Sequence, residues 1–200
     1  MSESPVVDKP GLRERKKAKT RAAIQEQALR LFREQGYDAT TVEQIAEAAE
    51  VSPSTFFRYF GTKEEVVAYD ALDPIVMSAW RSQPADMPPI AAIRKAMVEV
   101  FGSLTPGQIE ELMDRGRILF SVPELRQAAV GELLRSVQMV TEELSVRLAR
   151  PADDFELRVF AGALMGAMMA AMVPMLEHPT DDMATPLDRA LEFLEAGMPF

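Results

Sequence analysis

Between Gly36 and Gly61 the chain carries two helix-start signals, at Thr40 and at Ser52-Pro53, and so little room that both helices must be short. Glu43 stands three residues after Thr40, the spacing of a capping box, in which hydroxyl and carboxylate each satisfy a backbone N–H at the helix entrance. Val42, Ile45, Ala46 and Ala49 recur at helical spacing, so this helix has one apolar face and ends near Glu50. Ser52 is a good N-cap, and Pro53 fits the first helical position, where a missing N–H costs nothing. The second short helix runs through Phe56-Phe57-Arg58-Tyr59-Phe60 and stops at Gly61. A longer helix, Arg13 to Gln35, precedes the pair: Ile24, Ala28, Leu31 and Phe32 form its apolar face, and Gly36 is its left-handed stop. Thr62 caps a fourth helix, with Glu65 again at the capping-box position. Two short helices and a tight turn, braced by a longer helix, is the plan of a helix-turn-helix that reads DNA.

The formal net charge of −9 argues against nucleic-acid binding until it is divided along the chain. From Lys9 to Lys63 there are 11 basic and 7 acidic residues; from Glu64 to Phe200 there are 11 and 22. The positive charge is densest at Arg13, Arg15, Lys16, Lys17, Lys19 and Arg21. Phosphate neutralisation depends on local charge, so this asymmetry outweighs the total. The chain has no cysteine, which excludes a disulfide scaffold and thiol chemistry and fits a cytoplasmic location, as does the lack of a signal-peptide pattern at the N-terminus.

The stretch Ala39-Thr40-Thr41-Val42-Glu43-Gln44-Ile45-Ala46-Glu47-Ala48-Ala49-Glu50-Val51-Ser52-Pro53-Ser54-Thr55-Phe56-Phe57-Arg58-Tyr59-Phe60-Gly61-Thr62-Lys63-Glu64 closely resembles the signature of the TetR/AcrR family of bacterial regulators. With Ala28, Leu31, Phe32, Gly36 and Tyr37 the resemblance covers roughly residues 13 to 70. It implies that Thr41 contacts DNA, that Ser52, Pro53, Ser54 and Thr55 open the recognition helix, and that Phe57 faces the groove. Tyr59 and Lys63 match phosphate-contacting positions, and Arg58 with Arg13, Lys16 and Lys17 at the start of the first helix completes the expected interface. Val51, Phe56 and Phe60 are assigned to the small domain's core. Two departures stand out: Glu50 occupies a turn position where the family usually has glycine, and Ser54 replaces another frequent glycine.

Helix 4 is expected to continue to about Trp80, giving a flexible arm (1–12), a DNA-binding domain (13–62) and a ligand-binding and dimerisation domain (63–200). Gln83 to Pro89 reads as a loop. Helices follow at Ile90–Leu104, Gln108–Val122 (Thr105 as N-cap, Pro106 next), Pro123–Leu148, Asp153–Glu177 and Pro186–Met198. The fold class is all-α, with a helical bundle after the DNA-binding head. Val159 to Leu176 contains no charge, but its Ala, Gly and Met content and Pro174 argue for a buried oligomer core, not a membrane span.

Family members usually dimerise through their last two long helices, which assigns Ala163, Gly166, Ala167, Ala170, Leu191 and Leu194 to a homodimer interface able to read a palindromic operator. Met165 and Met169 lie on a methionine-rich face with Met168 and Met172, suited to lining an apolar pocket. Met77, Trp80, Phe101, Met113, Phe120 and Met139 are further pocket candidates. Arg115 and Arg117 could bind an acidic ligand group, and Arg117 is expected in the pocket lining. The stretch Phe120-Ser121-Val122-Pro123-Glu124-Leu125 resembles actinobacterial regulators of fatty-acid and acyl-coenzyme A metabolism, including the mycofactocin-linked branch, and suggests a fatty-acyl effector.

These readings converge on a ligand-responsive repressor, with double-stranded DNA, a second copy and a small effector as partners. Alternatives are a constitutive DNA-binding protein without effector, or a helical enzyme with a remnant head. The second finds little support: His178 is the one histidine and sits beside Pro179, and Asp153-Asp154 and Asp181-Asp182 read as helix-start and loop charges. No catalytic residue, metal site or cofactor is expected.

Overall fold

A computed structural model describes residues 11–178 and 182–199, apart from the side chains of Glu14 and Arg15. Most of the arm expected at 1–12, and the loop positions Pro179 and Asp181, lie outside the described residues. Ten helices and no strands occur among them: α1 Leu12–Gln35, α2 Val42–Ala48, α3 Pro53–Tyr59, α4 Lys63–Ala68, α5 Asp73–Arg81, α6 Pro89–Gly102, α7 Pro106–Ser121, α8 Pro123–Leu148, α9 Phe155–Glu177 and α10 Ala184–Glu195. The chain divides into two compact units between Val67 and Ala68.

In the first unit α1 packs on α2 and α2 on α3. Ile24, Ala28, Leu29, Phe32, Ile45, Ala46, Phe56, Phe60, Val66 and Val67 are buried, and Val51 is half-buried. The α2 cap lies one residue later than expected. Thr41 is the N-cap, and its hydroxyl and the Gln44 side chain complete the capping box. Thr40 is unavailable because it is buried: its hydroxyl donates to the Gly36 carbonyl at 2.8 Å and accepts from Gln35 Nε2 at 3.1 Å. At α4, Thr62 caps the Glu65 N–H as expected, but the Glu65 carboxylate reaches past Thr62 to the Gly61 N–H at 2.8 Å.

The α2–α3 turn confirms that Glu50 takes the conformation a glycine would adopt more readily. Its φ is +53°, and the Val51 and Glu50 N–H groups bond the Ala46 and Glu47 carbonyls at 2.9 and 3.0 Å, closing a Schellman turn. A side chain in the left-handed region costs about 1 kcal/mol. Glu50→Gly is therefore expected to raise unfolding stability by roughly that amount, measured by denaturant midpoint; a loss of stability would contradict this reading.

The second unit is built by α6 and α9 packing on α10, α8 on α9, α5 on α6, and α7 on α8 and α9. Its core includes Trp80, Ile93, Met97, Met113, Leu144, Leu164, Leu187 and Leu191. Arg94 clamps α6 to α10 through Asp188, Glu192 and Glu195. The expected single helix from Thr62 to Trp80 is broken: α4 ends at Ala68 and α5 starts at Asp73. Pro74 lacks an N–H and its ring would strike the Asp70 carbonyl in a continuous helix, so the chain restarts with Pro74 in the first turn of α5. Asp70 Oδ1 accepts the Leu72 N–H at 2.8 Å and fixes the intervening bend.

The later boundaries shift for similar local reasons. Asp154 caps α9 through the Glu156 and Leu157 N–H groups, so that helix starts at Phe155. Pro174, expected to interrupt, is retained inside α9, which has less than one further turn to complete. Helix α10 starts at Ala184, placing Pro186 in the first turn, where its missing N–H needs no partner. Asp182 accepts the Thr185 N–H at 3.0 Å.

Candidate functional site

Two sites stand out, one in each unit. In the first, the Ser52 hydroxyl accepts the Thr55 N–H at 3.1 Å and contacts the Ser54 and Thr55 hydroxyls at 2.9 and 3.0 Å. Phe56 and Phe60 anchor the inner side of α3, which leaves Ser52, Pro53, Ser54, Phe57 and Arg58 exposed and Thr55 and Tyr59 half-exposed. Phe57 is 54% exposed, an unusual exposure for a phenylalanine held edge-on against Phe56 at 5.5 Å. Thr41 is exposed at the α2 entrance.

Beside α3, a broad open groove of about 1030 Å³ is lined by Leu12, Arg13, Lys16, Lys17 and Thr20 of α1 and by Arg58 and Tyr59. The Arg58 guanidinium lies 5.4 Å from the Tyr59 ring. Four cations thus line one concave surface, and among the described residues no carboxylate lines it. Arg21 of the basic cluster and Lys63, expected at a phosphate, make contacts within the unit instead. Arg21 donates to the Tyr59 carbonyl at 3.0 Å and stacks over Phe60, bracing the α3 C-terminus from within. Lys63 Nζ donates to the Tyr37 and Thr40 carbonyls at 2.9 and 3.3 Å and lies 4.0 Å from the Tyr37 ring, whose hydroxyl bonds Glu64. The Lys63 charge is thereby held against the fold of this unit.

In the second unit, a cavity of about 350 Å³, open on one side, lies between α7, α8 and α9 and the bend after α4. Leu112, Leu119, Phe120, Leu133, Met165, Met168, Met169, Met172 and Leu176 supply its apolar wall. A smaller cavity of about 50 Å³ shares Asp70, Asp73, Ser136, Met165, Met168 and Met172, and adds Met77, Phe101 and Met139. Of the expected pocket residues, Phe120, Met165 and Met169 line the larger space, and Met77, Phe101 and Met139 the smaller one. Trp80 and Met113 do not line either: each is 2% exposed and packed in the core. Arg117 is also outside, bonded to Asp114 and to the Leu176 carbonyl at 3.3 Å. Gly116 allows α7 to approach α9 closely, since a Cβ there would sit 2.6 Å from Leu176 Cδ2.

The polar end of this cavity is formed by Asp70, Asp73, Arg115 and Ser136; of these, sequence reasoning named Arg115 as a ligand candidate and missed the other three. Arg115 bonds Asp70 Oδ2 at 2.7 Å and the Tyr69 and Ala68 carbonyls at 2.9 and 3.2 Å. Ser136, itself buried, donates to Asp73 Oδ2 at 3.0 Å. Burial, reinforced by the Asp70 charge and opposed by Ser136, pushes the Asp73 carboxyl up to about 6. The folded state therefore holds the Asp73 proton more tightly than the unfolded chain, so stability falls as pH rises from the ordinary carboxylate range to about 6. Asp73→Asn is expected to stabilise the chain at about pH 7.5 by on the order of 2 kcal/mol, and to give little gain at about pH 4. Equal gains at both pH values in thermal unfolding would refute the assignment.

The α9 surface is the other prominent feature. It is, among the described residues, the one helix long and apolar enough to cross a membrane, yet only 17% of its most apolar window is buried within the chain. Phe155 is 72% exposed and Val159 52%, and Gly162, Gly166, Met169 and Val173 continue the same stripe at alternating four- and three-residue steps. Ala163 and Ala170 lie exposed beside it and Ala167 is half-buried. Leu191, expected at an interface, is instead 0% exposed in the core; α10 turns it toward α6 and α9, and Leu194 is half-buried.

Fold and sites together define a helix-turn-helix protein with a cavity-bearing helical bundle as its second unit. Residues 24–69 match the family model for bacterial regulatory proteins of the tetR family, and residues 87–199 match that of the MftR C-terminal domain. The chain belongs to the TetR family of bacterial regulatory proteins. The HTH-type transcriptional regulator TcmR of Streptomyces glaucescens is 41% identical over 143 residues, 70% of this chain and 62% of TcmR, so the match spans less than two thirds of that relative. The mycofactocin biosynthesis transcriptional regulator MftR of Mycobacterium tuberculosis is 23% identical over 194 residues, 92% of this chain and 93% of MftR. The match to the MftR C-terminal model agrees with the likeness to the mycofactocin-linked branch seen at Phe120–Leu125. Among solved structures, FadR of Thermus thermophilus, a TetR family transcriptional repressor in complex with lauroyl-CoA, superposes with a TM-score of 0.58 at 26% identity, covering 90% of this chain and 95% of that one.

Proposed function

We propose that the chain is a homodimeric repressor that binds a palindromic operator and is released by a small, largely apolar effector. The observation that carries the DNA reading is the exposed α3 face beside a groove lined by Arg13, Lys16, Lys17 and Arg58. In this reading α3 enters the major groove: Ser54 and Thr55 read base edges, Phe57 makes apolar contact there, and Ser52 and Pro53 set its entry. Thr41 and Tyr59 join the groove cations on phosphates. Lys63 contributes by holding the α4 entrance to Tyr37 and Thr40.

Homodimerisation is supported by the α9 stripe, where small residues permit close helix approach and exposed apolar ones require a cover. A second copy meets both needs and supplies the second DNA-reading unit of a two-fold complex. An effector is supported by the cavity volume and its methionine-rich wall. Its polar end touches the bend after α4, where Arg115 holds the last carbonyl of that helix. An effector seated there would favour release from DNA by binding the non-DNA-bound arrangement more tightly than the DNA-bound one.

The DNA reading is tested by selecting binding sites from random sequence with the native chain and with Thr55→Ala. The expected result is a palindrome whose preferred base changes at one symmetric position, with discrimination there reduced by about 1–3 kcal/mol. An unchanged palindrome would remove Thr55 from the base-reading set. No recovered palindrome would overturn the dimeric operator model.

A further inference from the structure

The cavity is polarised, and its two ends cannot accept the same chemical group. Asp73 and Ser136 form one end, beside Asp70 and Arg115. Arg115 is already committed to Asp70 and to two backbone carbonyls, so a ligand anion could claim it only by breaking those bonds. The other lining cation, Arg126, precedes Ser136 on α8 by roughly 15 Å of helix rise. Glu132, one turn before Ser136 on α8, pairs with Arg135 and adds negative charge near the Asp73 end. Helix α9 contributes Met165, Met168 and Met172 to this end. With Asp70 matched by Arg115, the Asp73 carboxylate is the charge left for a ligand to match.

Resting on the effector reading above, we propose that this cavity selects apolar organic amines, the protonated nitrogen pairing with Asp73 beside the Ser136 hydroxyl and the hydrocarbon body lying on Met165, Met168 and Met172. A bound ammonium gives Asp73 a charge-assisted hydrogen bond in place of lost hydration. The thioethers offer a soft, adaptable wall for the body. A fatty carboxylate would place a second anion beside Asp70 and Asp73, and an acyl carbonyl would offer an acceptor where a donor is wanted. The acyl effector suggested at the sequence level is therefore the disfavoured chemistry.

Binding of 1-naphthylmethylamine, 1-naphthalenemethanol and 1-naphthoic acid to the full chain, measured by calorimetry, tests this with probes of one shape. At about pH 7.5 the amine is expected to bind about tenfold more tightly than the alcohol, with the acid weakest. The amine's advantage is expected to shrink at about pH 5, where Asp73 is protonated. Asp73→Asn, which is expected to fold, should reduce the amine to the level of the alcohol. Equal or tighter binding of the acid, an unaltered ranking in Asp73→Asn, or no binding by any probe overturns the proposal. DNA release is read separately: the expected ranking without release leaves the cavity's preference standing and overturns the effector reading, whereas release by the acid alone does the reverse.

Discussion

Replacing Arg13, Lys16 and Lys17 together with alanine is expected to weaken binding to every DNA sequence by about 100-fold per DNA-reading unit at physiological salt. All three side chains are exposed on the α1 face of the groove that Arg58 and Tyr59 complete. Each phosphate contact releases condensed counterions, so losing three should flatten the dependence of log affinity on log salt by about 3 per unit. Base preference should stay the same, because none of the three lies on α3. The substitutions sit outside the core, so unfolding stability should be nearly unchanged. A steep loss of affinity with an unaltered salt slope would show that these cations act through the fold and not on phosphate.

The second large effect is expected from Gly166→Arg. Gly166 is exposed at the middle of the α9 stripe and, apart from its own stretch of helix, nothing lies within 4 Å of where its Cβ would be, so a single chain can accommodate the side chain. A two-fold interface cannot: it would bury two arginines near one another without partners, at a cost of about 3–5 kcal/mol for each unpaired buried charge. That cost lowers the dimerisation constant by more than about 100-fold. Sedimentation should then report a monomer, and affinity for a two-half-site operator should fall toward that of a single half-site. A variant that stays dimeric would place the interface elsewhere. A variant that loses helicity or melts early would show that the stripe serves the fold of one chain.

Much of the DNA-reading unit was legible because its signals are local. Gly36, Ser52-Pro53 and the spacing of Ile24, Ala28, Ile45, Phe56 and Phe60 act through neighbours within one or two turns, and each appears in the structure as a helix end or a buried face. The left-handed Glu50 was foreseeable for the same reason. The capping residue at α2 was not. Thr40 and Thr41 carry the same hydroxyl, and contacts with Gln35 and Gly36 decide which turns inward.

In the second unit the helices were legible and their facing sides were not. Arg115 and Arg117 stand two residues apart on α7, which turns them to different sides of one helix. Only the bend at Asp70, which exists because Pro74 breaks the expected long helix, gives Arg115 its carboxylate and carbonyl partners. Asp73 is an ordinary helix-start acid in sequence; burial beside Asp70 changes its chemistry.

The helix-turn-helix, the all-α class and the division of charge follow from the sequence alone, because capping, glycine stops and helical periodicity are short-range properties of the chain. Which methionines line a cavity, which arginine guards it, and which apolar helix face is left uncovered were settled by the packing of α5 through α10. Those outcomes depend on distant elements meeting, and the chain order of the residues does not encode them one position at a time.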